Sequence, residues 1–323
     1  MNERLSLLTG SLTSIFASDA ITDVSPETVG SALVNVETKA YEADYQDITF
    51  DELLPVINLN DETATSFEYM YVTKAGKAQL AKGDGSIAWV DSYLGAKNVK
   101  LYDGNTGYKY PMKDVRRAMK LGQSLDAFKA QTAIQASLEL AEEIAYNGDT
   151  ERDIAGFWTY DGFASTTALD NQAGTSKLWA SKTPLEKLAD INHLFGTAYS
   201  TTKKKEFKPK NKSNRLVLSV EDWTSLASTP LNNNTTETVL SFIVSKCPYL
   251  DSMDQVIASA ECPRSMIRIY QKDQDKIAFY WGHTINFKAP QHLNLELRVP
   301  ADFSIGGLVV RKPLSVWDLK GIA

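Results

Sequence analysis

Apolar and small residues recur in steps of three and four from about Pro111 to Asn147. Val115, Ala118, Leu121, Leu125, Phe128, Thr132, Ala136, Leu140 and Ile144 mark one stripe. That spacing is the signature of one face of a helix. Pro111 suits a first turn, Asp114 suits the positive end of the helix dipole, and Gly148 follows as a stop. At 1.5 Å per residue the predicted helix runs roughly 50 Å, longer than most globular helices. Ahead of it the pattern is extended. Phe67, Tyr69, Tyr71 and Thr73 alternate with Glu68, Met70 and Val72, the period-two pattern of a strand. The stretch from Gly76 to Tyr110 carries glycines at 76, 83, 85, 95, 104 and 107 between strand-like flanks. It reads as a long hairpin with a turn-rich middle, and a free hairpin of that size is marginal in water.

Before the hairpin, Leu5, Leu8, Leu12 and Phe16 fit a short amphipathic helix. The next segment, to about residue 45, reads as an extended arm with little core of its own. After the long helix, GFWTYDGF (156–163) is an aromatic turn. Thr183, Pro184 and Glu186 then open a second helix. LVLSV (216–220), VIASA (256–260), MIRIYQ (266–271) and IAFYWG (277–282) read as strands, the last two joined through KDQDK. Short helices are predicted over 221–226 and 235–247, and two alternating blocks, LNLELRV and DFSIGGLVVRKPLSVWDL, close the chain in strands. Strands outnumber crossover helices, so the class is α+β rather than a doubly wound sheet.

Composition changes this picture little. The 323 residues have an ordinary apolar share of 43% and a net charge of −6, so contact with nucleic acid would need a local basic patch. The one such run considered is 201–215, with Lys203, Lys204, Lys205, Lys208, Lys210, Lys212 and Arg215 around a single aromatic, Phe207. It reads as a solvated loop or as a face for nucleic-acid phosphates. Cys247 and Cys262 are too few for a disulfide framework and are expected as reduced thiols. No signal peptide and no membrane span is expected.

An enzyme would have to be built from a thin inventory. His193 lies in an apolar helical stripe, and His283 and His292 flank a strand connection, where exposed polar roles are expected. No metal-ligand spacing occurs, and Glu139, Glu142 and Glu143 read as a solvated acidic face. GDGS (83–86) is no phosphate loop, and no nucleophile elbow is present. No catalytic, cofactor or metal residue is therefore assigned. Trp89 and Trp179 read as contact residues, Trp281 and Trp317 as sheet core.

The element order, with YPMKDVRRAMKLGQSLDAFKAQTAIQASLELAEEIAYNGD running into GFWTYDGF, resembles the tailed-phage major capsid proteins of the Hong Kong 97 fold, the fold shared with encapsulin shells. The resemblance is carried by Asn147, Gly148, Asp149, Gly156 and Phe157, and by the closing strand RKPLSVWDLKG (311–321). It implies an N-terminal arm (1–45), an extended hairpin and its base (46–110), a spine helix and peripheral domain (111–184), an axial domain (185–300) and a closing strand returning to the peripheral domain (301–323). It implies a structural subunit of the virion that self-assembles, in the host cytoplasm, into hexamers and pentamers of an icosahedral head around double-stranded DNA. Portal, scaffolding or decoration proteins would be further partners. Intersubunit contact would fall on Tyr69, Tyr71, Lys77, Lys82, Trp89, Val99 and Leu101. Hairpin lysines such as Lys77 and Lys82 are available for covalent cross-linking, but no triad for it can be placed by motif. The alternatives are an encapsulin-like compartment for protein cargo and an unrelated α+β enzyme or ligand-binding domain.

Overall fold

The computed structural model describes residues 47–80, 87–121, 125–202, 206–232 and 236–322. The arm expected over 1–45 lies outside them. In chain order the elements are α1 (Phe50–Leu53), β1 (Val56–Asn58), β2 (Ser66–Ala75), β3 (Asp91–Lys100), β4 (Tyr102–Pro111), α2 (Met112–Leu121) and α3 (Leu125–Asn147). Then come β5 (Gly148–Asp149), β6 (Ile154–Ala155), β7 (Ala164–Thr167), α4 (Pro184–Thr202), β8 (Asn214–Ser219), α5 (Val220–Ser228) and α6 (Val239–Lys246). The chain closes with β9 (Val256–Ser259), β10 (Met266–Gln271), β11 (Ile277–Phe287), β12 (Gln291–Leu293), β13 (Glu296–Val310) and β14 (Val316–Lys320).

Two five-stranded sheets organise the chain. In the first, β13 is the hub: β4 pairs along one edge, while β12 and then β11 share the other, and β1 adds parallel to β11. The second runs β7-β14-β10-β8-β9. One face of this second sheet presents Leu216, Leu218, Ile267, Ile269, Trp317 and Leu319 to a core shared with α4, α5 and α6. Its other face presents Val217, Tyr270 and Val316 to the core beneath α1, α3 and the first sheet. Being covered on both sides explains why every residue of β10 is buried and why MIRIYQ shows no alternation. β10 and β11 are not hairpin partners as the intervening turn predicts. They belong to different sheets, and the KDQDK segment carries the chain from one to the other. The break expected at residue 300 falls inside β13, a single 15-residue strand.

The helical region departs from the predicted stripe. Pro111 ends β4, and the helix begins at Met112. Along α3 the buried positions are Ala130, Ala133, Ser137, Ala141 and Ala145, while Thr132, Ala136 and Leu140 are exposed and Ile144 is half-buried. The true face lies about 100° round the helix from the predicted one, a one-residue shift. Alanines let the helix axis approach β4 and β13 closely, so small side chains rather than large ones mark the contact. The side chains of Leu121, Leu125 and Phe128, expected in that stripe, lie outside the description.

Glu142, expected among solvated acids, is buried. Its Oε1 accepts from the Thr49 amide (2.8 Å) and hydroxyl (2.9 Å), and the Tyr146 hydroxyl lies 2.7 Å from the same threonine oxygen. Burial pushes the Tyr146 phenol far up from its ordinary pKa. This trio ties the segment leading into α1 to the spine. Gly148 stops the helix as predicted, at φ +73°. Thr183 and Glu186 form the expected capping box at α4: the Thr183 amide and hydroxyl donate to Glu186 Oε2 (2.6 and 2.8 Å), and the Glu186 amide donates back to Thr183 (3.4 Å).

Two buried ionic devices lock the cores. Arg268 on β10 donates from Nε and Nη2 to Asp318 on β14 (2.6 and 2.7 Å) and from Nη1 to the Phe157 carbonyl. Its guanidinium sits 4.7–4.8 Å from the ring centres of Phe157, Trp158 and Phe163. The aromatic turn after the spine is thus wrapped around one arginine. In the other, Asp190 accepts from Lys182 Nζ (2.6 Å), Trp179 Nε1 (2.9 Å) and the Leu169 amide (2.9 Å). Trp179 is buried there, not free for contact as its loop setting suggests. Trp281 and Trp317 are in the core as expected. His283, expected to be exposed, is buried on β11 with Asp302 Oδ2 3.9 Å from Nε2, whereas His292 is exposed. Cys247 and Cys262 are free and buried, and burial pushes the Cys262 thiol up to about 12.

The glycine pair Gly306-Gly307 lets two elements press on β13 at once. A Cβ on Gly306 would meet Leu101 Cδ2 at 2.9 Å, and one on Gly307 would meet Ile154 Cγ2 at 2.3 Å. Gly307 also has φ +72°, so Gly307→Ala combines strain with overlap and should destabilise by about 1–3 kcal/mol. Gly174, at φ +66° with nothing within 4 Å of its would-be Cβ, is the control. Gly174→Ala should cost visibly less in thermal denaturation; equal losses would show that crowding at Ile154 does not matter.

Candidate assembly interface

The feature of greatest chemical interest is the ribbon formed by β2 and β3. The strands pair antiparallel from Ser66↔Lys100 to Ala75↔Asp91. β4, expected in the same hairpin, instead joins the first sheet. The two halves of the ribbon have different environments. Near the base, Phe67, Tyr69 and Val99 pack on the patch of Ala278, Tyr280 and Val309. Phe67 stacks on Tyr280 with ring centres 4.4 Å apart. Arg311 stands over the Tyr69 and Tyr280 rings at 5.2 and 5.5 Å and donates to the Tyr280 hydroxyl. Burial raises the Tyr69 phenol above its ordinary pKa. A second fastening runs through Glu62, which accepts from Asn286 (2.6 Å) and lies 3.3 Å from Lys288 Nζ.

Beyond the base, nothing among the described residues covers either face. Met70, Tyr71, Val72, Tyr93 and Leu94 on the strands are exposed, with Leu80, Ile87, Trp89 and Val90 further out. Trp89 is 84% and Leu80 94% accessible. Isolated exposed leucines are ordinary, but a run of nine large apolar side chains on one projecting ribbon marks a contact surface. The Tyr71 ring lies across Gly95, where a Cβ would sit 2.5 Å from it, so that glycine lets the tyrosine fold over its partner strand.

The predicted contact residues therefore divide. Tyr71, Lys77 and Trp89 are exposed on the ribbon, Tyr69 and Val99 are half-buried at its base, and Lys82 lies outside the described residues. Leu101 is buried within the subunit, against Gly282 and Gly306. Reading it as a residue buried only by neighbours was wrong, because the glycines opposite it open space in its own sheet. Met70, Val72, Leu80, Tyr93 and Leu94 were missed. The alternation singled out Tyr69 and Tyr71 on one face and left Met70 and Val72 on the other without a role.

In the basic run, Lys208, Lys210 and Lys212 are exposed, while Lys203, Lys204 and Lys205 lie outside the description. Lys210 has Asp251 at 3.9 Å. Arg215 is half-buried and donates to the carbonyls of Lys212 and Asn214, and Phe207 is fully in the core. Among the described residues no group of His, Cys, Asp or Glu could hold a metal ion, and no helix is long and apolar enough to cross a membrane.

Comparison with known proteins fits this geometry. The sequence matches the family described as major capsid protein over residues 76–322. No curated protein matches it in sequence. Among solved structures, the capsid of Myoviridae phage XM1 aligns with a TM-score of 0.69 at 15% identity, covering 92% of this chain and 100% of the other. The capsid of a native GTA particle aligns at 0.61 and 10% identity, covering 95% and 98%. Gordonia phage Cozz gives 0.52 and 13%, covering 94% and 98%. The family favours the viral shell over the protein-cargo compartment. The chain belongs to the major capsid protein family and carries the Hong Kong 97-like α+β fold of tailed-phage capsid subunits.

Proposed function

We propose that this capsid subunit assembles into hexamers and pentamers of an icosahedral head around double-stranded DNA, with the β2–β3 ribbon lying on a neighbouring copy. The observation that carries this is the ribbon's uncovered apolar surface. Burying one large apolar side chain stabilises by roughly 1.5–3 kcal/mol, so a few ribbon contacts per subunit suffice to drive association. The sheet β7-β14-β10-β8-β9 with α4, α5 and α6 would form the axial domain, and the first sheet with α3 the peripheral one. The role is structural, with no catalytic residue assigned. Portal, scaffolding and decoration proteins are the further partners such a head would recruit, and the virion is its destination after assembly in the host cytoplasm.

Amide hydrogen exchange on dispersed and assembled protein tests the ribbon's role. The distal halves of β2 and β3 should exchange rapidly when dispersed and about 100-fold more slowly in shells, as expected when an exposed ladder becomes buried. Slow exchange in both states would mean that the ribbon needs no neighbour.

A further inference from the structure

The strongest exposed charge on the described surface is not the 201–215 run but α2. Lys113, Arg116, Arg117 and Lys120 are all exposed. At about 100° per residue they fall within roughly one quarter to one third of the helix circumference, on the side opposite the half-buried Val115, with the half-buried Met112 flanking Arg116. Lys109, at the end of β4, adds a charge that is 65% accessible in its side chain. Lys129 on α3 joins it, its Nζ donating to the Lys109 carbonyl (2.6 Å) and lying 3.9 Å above the Tyr110 ring. Among the described residues the opposing acids are few: Asp114 lies 3.8 Å from Arg117, and Glu296 3.5 Å from Lys109. A chain of net charge −6 thus carries four exposed cations on α2 and one more on each neighbouring element, β4 and α3. Such a concentration is costly in self-repulsion unless a polyanion neutralises it. Among the described residues of the 201–215 run, Lys210 has Asp251 nearby and Arg215 is occupied by carbonyls.

We infer that the basic face of α2, extended by Lys109 and Lys129, is the surface through which the subunit contacts the phosphate backbone of double-stranded nucleic acid. The inference rests on the reading that the shell encloses DNA, and it names the element that meets it. Recognition would be of phosphate alone. Lysine and arginine on one helical face supply point charges and forks at one-turn spacing, and no aromatic platform accompanies them among the described residues, so no base sequence is read.

The test uses the full chain in two forms. Dispersed protein is titrated with a duplex of about 30 base pairs between roughly 50 and 200 mM salt, where each phosphate contact contributes about 0.9 to the slope of log affinity against log salt. The variant Lys113→Gln/Arg116→Gln/Lys120→Gln, at exposed positions, should reduce that slope by ~2–3 and weaken binding at low salt at least about tenfold. Lys208→Gln/Lys210→Gln/Lys212→Gln should stay within about twofold of the parent. The inference is overturned if the parent binds no duplex, if the helix variant binds like the parent, or if the loop variant loses as much. A peptide of residues 1–46, acidic in balance, is the competing occupant. If it binds the parent but not the helix variant while the duplex binds both equally, the face belongs to the arm. Particles made from each variant separate the two levels of the argument. Shells that form and retain nucleic acid with the helix variant unchanged refute the α2 face alone. Failure of the parent to form shells refutes the head reading beneath it.

Discussion

Serine at Met70, Val72, Trp89 and Leu94 together should leave a folded, soluble subunit that no longer builds shells at concentrations where the parent does. All four side chains are exposed in the subunit, so their removal takes nothing from its core. Val72 and Leu94 face each other across the ribbon, and that pair contributes at most about 1 kcal/mol to local order. The melting temperature should therefore move by only a few degrees. In an assembly the same residues would each forfeit roughly 1.5–3 kcal/mol of burial. Even half of that sum, about 4 kcal/mol, raises the threshold concentration for association by nearly a thousandfold, at 1.4 kcal/mol per decade. Light scattering and electron microscopy over a concentration series would measure it. Shells appearing at the parental threshold would remove the ribbon from the interface.

The second large effect concerns folding. Arg268→Ala should cost about 3–5 kcal/mol, because it leaves the Asp318 carboxylate buried without its bidentate partner and opens a void among three aromatic rings. The loss would appear in chemical denaturation of the dispersed subunit, before any question of assembly. The pair Arg268→Met/Asp318→Leu separates charge from packing. Buried ion pairs are often replaceable by apolar groups of similar volume, so this double variant should recover most of the lost stability. A single variant costing less than about 1 kcal/mol would show that water reaches Asp318 and that the lock is loose.

Much of this was readable along the chain, and the reasons are local. Thr183 with Glu186 announced α4, because a capping box needs only residues three apart. Gly148 announced the end of α3, because only glycine adopts its backbone angle without cost. The buried runs around 216, 266 and 277 announced strands by β-branched and aromatic content alone. What stayed hidden depended on partners distant in sequence. The helix stripe was placed on Thr132, Ala136 and Leu140 because a second row of small and apolar residues, Ala133, Ser137, Ala141 and Ala145, runs one residue further on with the same spacing, and only the close helix–sheet approach selects it. Glu142 looked solvated because Thr49, its partner, lies 93 residues away. Arg268 and Asp318 are 50 apart and lie in strands whose pairing no turn predicted. At the interface the hairpin itself was legible from Phe67, Tyr69 and its glycines. Which end would be docked depended on Gly282 in β11 and Gly306 in β13, both distant in sequence. The basic face of α2 escaped because Lys113, Arg116, Arg117 and Lys120 are spread over eight residues and become one cluster only on a helix, whereas 201–215 is basic as a run.

The ribbon has a consequence for how the protein behaves before it reaches its neighbours. It is a two-stranded sheet, so β2 and β3 each present an outer edge whose amide and carbonyl groups have no ladder partner among the described residues. Such edges are templates for pairing with any other extended chain, and here they sit beside bare apolar side chains. Lys74, Lys97 and Lys100 along the strands are the kind of charge that blunts edge-to-edge pairing, and Gly76 at φ +96° interrupts the run at its far end. With the ribbon as the proposed intersubunit contact, productive assembly would compete with aggregation for the same surface. The subunit's yield in correct particles should depend on how quickly a neighbour covers the ribbon, and delay during synthesis should appear as insoluble protein rather than as free monomer.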